Sequence, residues 1–142
     1  MSESGIPLGV IAGRGQAAQR YADALLRVLG GTSVTFRFAD AASGDSASQL
    51  GLEPPPAEDI AFYPALIRKL APAENGKRRI EVLLSSTSVR PAAQSHNIED
   101  VGSWLLLAQV VVQPQTQYQV DTVICDHMSG SDYLYHVVAT EQ

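Results

Sequence analysis

What this chain lacks narrows its function more than what it contains. Cys125 is the single cysteine among 142 residues, so no internal disulfide can form and stability must come from packing, which fits a reducing, cytoplasmic setting. No apolar run approaches the roughly 20 residues of a membrane-spanning helix. The longest, residues 104–112, is interrupted by Gln109. The first residues carry neither the basic nor the long apolar region of a secretory signal, so a soluble protein is expected. Positive charge is scarce, with 10 Lys and Arg against 15 Asp and Glu and a net charge of -5. That balance argues against a uniformly basic surface for nucleic-acid phosphates or anionic lipids and leaves room only for a local patch. No internal repeat, low-complexity array or G-x-S-x-G nucleophile elbow is present.

The 45% hydrophobic content at this length supports one core, and a single domain over residues 1–142 is expected. Residues 118–141 carry the strongest pattern, two strand-like segments joined across residues 126–132. Val120, Thr122 and Ile124 alternate on one face of the first, and Tyr133, Tyr135 and Val137 on one face of the second. At the other end, residues 8–12 form a short apolar run that could be a strand, broken by Gly13-Arg14-Gly15. From Gln16 onward Ala17, Tyr21, Ala24, Leu25 and Val28 recur at helical spacing and predict an amphipathic helix stopped by Gly30-Gly31, followed by a strand over residues 33–38.

Residues 40–58, rich in Ala, Ser, Gly and Pro, predict a flexible loop. Residues 60–70 predict a short helix beginning near Pro64. Residues 80–89 predict a strand entered from Lys77-Arg78-Arg79. Asn97 is a candidate N-cap for a second helix carrying Val101, Trp104, Leu105 and Ala108, and residues 110–112 begin another strand. The class this order predicts is α+β, a mainly antiparallel sheet or partly closed barrel with two to three helices on one face.

Chemistry-bearing residues are sparse. Gly13-x-Gly15-x-x-Ala18, after an apolar run and before a strand ending near Asp40, has the outline of a dinucleotide-binding turn. There glycines let the backbone approach a pyrophosphate, Arg14 would neutralise phosphate, and Asp40 would hold a ribose hydroxyl. The following Pro-rich segment and antiparallel half do not continue that fold. Cys125, His127 and His136 lie on or beside one hairpin and offer thiolate and imidazole to a metal, with Asp126, Asp132 or His96 as further donors; sharing a face depends on a register the sequence leaves open. Residues 85–88 offer hydroxyls that His96, Asp100 or Asp121 would have to meet in space. The adjacent carboxylates Glu58-Asp59 and Glu99-Asp100 diverge on any regular element and read as solvated or helix-dipole charge. Lys77-Arg78-Arg79 is the one dense basic cluster, readable as a strand entrance or part of an interface. No cofactor is expected from these patterns.

The segments Tyr118-Gln119-Val120-Asp121-Thr122-Val123 and Tyr133-Leu134-Tyr135-His136-Val137-Val138, with the polar break before them, resemble the ends of small tail-associated and head-to-tail joining proteins of tailed bacteriophages and prophages. The resemblance covers about the last third of the chain. It implies a non-enzymatic assembly protein, virion-associated where phage-derived, that works through protein partners or self-association, with residues 41–58 and 113–117 as contact surfaces. A nucleotide-binding or small enzymatic domain using the Gly13 turn is the alternative.

Overall fold

The computed structural model describes residues 8–39, 57–112 and 116–142. In chain order these form α1 (Leu8–Leu29), β1 (Thr32–Ala39), β2 (Ala57–Leu70), β3 (Arg79–Ser85), α2 (Ser86–Ser95), α3 (Val101–Leu106), β4 (Gln109–Val112), β5 (Thr116–Met128) and β6 (Ser131–Glu141). All strand pairs are antiparallel, and the sheet closes into a barrel in the order β1-β2-β3-β6-β5-β4. The expected α+β class holds, with the barrel fully closed. Among the described residues no helix is long and apolar enough to cross a membrane.

Strand alternation builds the interior. Val34, Phe36 and Phe38 of β1, Val82 and Leu84 of β3, Val110 of β4 and Tyr135, Val137 and Ala139 of β6 all turn inward and are buried. Phe36 meets Phe62 edge-on at 5.3 Å between ring centroids, and Phe38 stacks on Trp104 of α3 at 4.3 Å. Asp100 caps α3 by accepting from the Ser103 amide at 3.2 Å and from its hydroxyl at 2.7 Å. The N-cap expected at Asn97 is therefore Asp100, while Asn97 takes a left-handed φ of 56° where α2 ends.

Several expectations are corrected. Residues 8–12 are not a strand but the first turns of α1. Residues 60–70 are not a short helix: they lie in the long strand β2, which also takes in Ala57 and Glu58 from the expected loop. Residues 40–56 of that loop, with Asp40, and residues 113–115 lie outside the described residues. Pro64, which has no amide to donate, sits where β2 passes from pairing with β1 to pairing with β3, beside a register shift in β1. The strand expected over residues 80–89 ends at Ser85, and residues 86–89 begin α2. The final hairpin turns more tightly than expected, through Ser129 and Gly130 at positive φ of 53° and 79°.

The apolar stripe that makes α1 amphipathic lies on its outer side. Ala22 and Leu26 are buried on the barrel, whereas Tyr21, Leu25, Val28 and Leu29 are 69%, 40%, 83% and 59% exposed. Close approach and polar contacts set this orientation. A Cβ at Gly15 would lie 2.6 Å from Ser131 Oγ and 2.8 Å from Ser131 Cβ, so that contact admits only glycine. Gln19 Nε2 donates to the Asp132 carbonyl at 3.0 Å, and Asp23 accepts from Thr87.

The two glycines of α1 should respond oppositely to alanine. At Gly13 nothing lies within 4 Å of the position a methyl would take, so Gly13→Ala should gain up to about 1 kcal/mol from helix propensity alone. Gly15→Ala should lose about 1–3 kcal/mol by lifting α1 from the hairpin. Paired urea melts with unchanged m-values check the contrast.

Candidate functional site

The glycine motif loses its context. Gly13, Arg14 and Gly15 lie within α1 rather than in a strand-to-helix turn, so no backbone loop is presented there to a pyrophosphate. The hydroxyl and acid candidates for nucleophilic chemistry are dispersed. Asp100 is a helix cap, Asp121 accepts from Thr140, and His96 Nε2 faces Glu58 at 2.9 Å. The Glu58 hydrogen bond, with the Ala92 carbonyl, raises the His96 pKa. Asp59 accepts from Nε and Nη2 of Arg37 at 2.8 and 3.0 Å, which lowers its pKa. Of the basic cluster, Arg78 is paired with Glu141, while Arg79 joins Lys69, Leu70 and Tyr118 around a small cleft of about 240 Å³.

The metal candidates divide. Cys125 and His127 project from one side of β5, and their donor atoms lie with an Asp132 oxygen in a group whose members are all within 4.8 Å of one another. His136 is not part of it. It pairs across from Ile124, on the opposite face, where its Nε2 meets Asp126 at 2.8 Å and its Nδ1 approaches Glu81 at 3.7 Å. The register explains both outcomes. Cys125 pairs with Tyr135 but His127 pairs with Asp132, so one extra residue in β6 brings Asp132 round to the Cys125 side. His127 Nδ1 lies 2.8 Å from Asp132 Oδ1, and the Tyr135 hydroxyl donates to Asp132 Oδ2 at 3.0 Å. Burial, followed by the neighbouring Asp132 and Asp126 charges, pushes the Cys125 thiol up to about 12. Burial and Asp132 likewise raise the Tyr135 pKa.

Sequence reasoning misses two surface features. One is the outward apolar stripe of α1, whose periodicity is plain in the sequence but points, on that pattern alone, to the core. The other is a groove of about 630 Å³ along β1, lined by Thr32, Thr35, Arg37, Ile67, Val111 and Val112 among others. Its position depends on the β1-β2 and β1-β4 pairings, which leave no local mark in the sequence.

Comparison of the chain with protein-family models, with curated proteins and with solved structures finds no match. The functional reading therefore rests on geometry.

The best-connected polar group beneath α1 is Asp23. Burial alone would raise its pKa, but hydrogen bonds from Arg27 Nε at 2.7 Å and the Thr87 hydroxyl at 2.7 Å, with the Ser85 hydroxyl at 3.4 Å, outweigh it and leave the pKa lowered. A lowered folded-state pKa contributes stability that is present above the unfolded carboxylate range and lost as pH falls through the folded value. Asp23→Asn should therefore cost about 1 kcal/mol at neutral pH, because the Arg27 pair is half exposed and screened by solvent. The gap between variant and parent should narrow as pH drops below about 4. Thermal melts of both proteins between neutral pH and acid check the convergence.

Proposed function

We propose that this chain is a non-enzymatic assembly subunit, a phage or prophage component of the tail-associated or head-to-tail joining kind, that associates with copies of itself through the outward face of α1. The observation that carries this reading is the exposed stripe of Tyr21, Leu25, Val28 and Leu29. Ala17 and Ala24 extend it along the same side of the helix. An apolar face this regular, left outside a complete core, is the form a helix takes when it docks in a groove of another molecule.

A second copy supplies such a groove. In the six-strand ring α1 rests chiefly on β6, which stands opposite β1, and the groove lined by Thr35, Ile67, Val111 and Val112 runs along β1. Helix face and groove are thus separate surfaces of one subunit. Such a pair joins subunits head to tail, and it closes into a ring where the rotation per subunit permits. Among the described residues the interior offers no competing site, because Phe36, Phe62, Leu84, Val110 and Val137 fill the barrel. The C-terminal resemblance to head-to-tail joining proteins agrees with this reading.

Native mass spectrometry and light scattering should show concentration-dependent oligomers of the parent. Leu25→Glu/Val28→Glu on the helix and Val111→Glu in the groove should each give monomers with melting temperatures close to the parent's. Mixed together, the two variants should form a 1:1 heterodimer and stop there, since each retains one half of the joint. A parent that stays monomeric at every concentration, or variants that still assemble, would overturn the proposal.

A further inference from the structure

The hairpin tip beside α1 carries a donor set that the assembly role does not use. Cys125 Sγ, a ring nitrogen of His127 and an Asp132 oxygen converge within 4.8 Å of one another, from two adjacent strands and across one cross-strand pair. We propose that these three residues form a binding site for a single zinc-type divalent cation.

The chemistry of the donors selects the ion. A thiolate and an imidazole favour zinc or cobalt over the hard cations calcium and magnesium, which take oxygen ligands. Bonds of roughly 2.0–2.3 Å to S, N and O would place the donors about 3–4 Å apart around the ion. The His127–Asp132 contact is already at 2.8 Å, so the cation enters by opening that pair slightly and drawing the Cys125 sulfur inward. His127 is 64% exposed and free to make this adjustment. On binding, the Cys125 proton leaves to solvent and the thiolate bonds the metal.

The surroundings are those of a supported ligand set. Asp132 presents Oδ1 toward His127 while its Oδ2 is held by the Tyr135 hydroxyl at 3.0 Å, the outer hydrogen bond that orients a ligating carboxylate. Its backbone carbonyl is held by Gln19 of α1 at 3.0 Å, which fixes the strand carrying it. Three protein donors leave the fourth tetrahedral position to water. His136 is excluded because it faces the other side of the sheet with Asp126 and Glu81.

Cobalt titration of the reduced full-length protein tests the site without an activity assay. One equivalent of Co2+ should bring up a thiolate-to-cobalt charge-transfer band in the near ultraviolet with tetrahedral visible bands, and Zn2+ should abolish both and raise the melting temperature. Cys125→Ser should remove the charge-transfer band. His127→Gln and Asp132→Asn should each weaken binding at least tenfold, and Tyr135→Phe about tenfold through the lost outer hydrogen bond. His136→Gln should bind as the parent does. His127 is exposed, so its variant reports on the site even where Cys125→Ser fails to fold. Absence of the charge-transfer band in the parent would overturn the proposal. So would a band of equal affinity in both His127→Gln and Asp132→Asn, which would mean thiol capture of metal without a site.

Discussion

The closing seam of the barrel is the constraint on which the other features rest. Only three cross-strand pairs join β1 to β4, Thr35 to Val111, Phe36 to Val110 and Arg37 to Gln109. Antiparallel pairing is what removes the sheet's open edges here, and two of the three pairs flank the inward Phe36–Val110 position, where both side chains are fully buried. Trp104 packs across the same region by stacking on Phe38 and meeting Phe62 at 6.5 Å. Aromatic contacts of this kind add about 0.5–1.5 kcal/mol each beyond area burial. Closure and packing together leave the inside occupied, so among the described residues the open surfaces are the outer wall, α1 and the hairpin tip.

The orientation of α1 is decided by steric fit and polar satisfaction rather than by apolar area. Burying a Leu or Val side chain gains roughly 1.5–3 kcal/mol, which by itself would favour turning Leu25 and Val28 inward. Rotation would bring Tyr21 or Leu25 to a surface where even a methyl at Gly15 meets Ser131. It would also remove Asp23 from Thr87 and Ser85, and the fully buried Ser85 hydroxyl would lose its carboxylate partner. Ser85 is fully buried, so its hydroxyl depends on the contacts with Thr87 and Asp23. The helix therefore keeps Gly15, Gln19, Ala22, Asp23 and Leu26 on the barrel and leaves its larger apolar side available.

The same balance explains which parts of the molecule are legible in the sequence. Periodicity identifies α1 as a helix and residues 118–141 as a hairpin, because both patterns are local. It misassigns the buried side of α1, since the contacts that choose it involve Ser131, Asp132, Ser85 and Thr87, all far away in the chain. In β5 the expected face of Val120, Thr122 and Ile124 is broken by the register shift at Asp121, after which Val123 and Cys125 turn toward the core while Ile124 is 54% exposed. The second shift, in β6, brings Asp132 to Cys125 and His127. Residue types on the hairpin suggest a donor cluster, but only these irregularities determine that Asp132 belongs to it and His136 does not. In β2, apolar spacing around Pro64 imitates a helix because both faces of the strand are covered, Phe62, Ala65 and Ile67 turning to the core and Leu66 lying against Gly30 at the end of α1.

The hairpin tip is the point at which the outer features meet. Gln19 ties α1 to the carbonyl of Asp132, and the side chain of the same residue is shared by His127 and Tyr135. Anything that fixes Asp132 therefore restrains both the tip of the β5-β6 hairpin and the seat of the helix whose apolar face looks outward. A closely packed contact such as Gly15 against Ser131 transmits displacement poorly by bending and well by rigid movement, because neither side has a long side chain to absorb it. The angle at which α1 presents Tyr21, Leu25 and Val28 is consequently set by the geometry of the hairpin. In a head-to-tail assembly that angle fixes the rotation from one subunit to the next, and with it whether the chain of subunits closes.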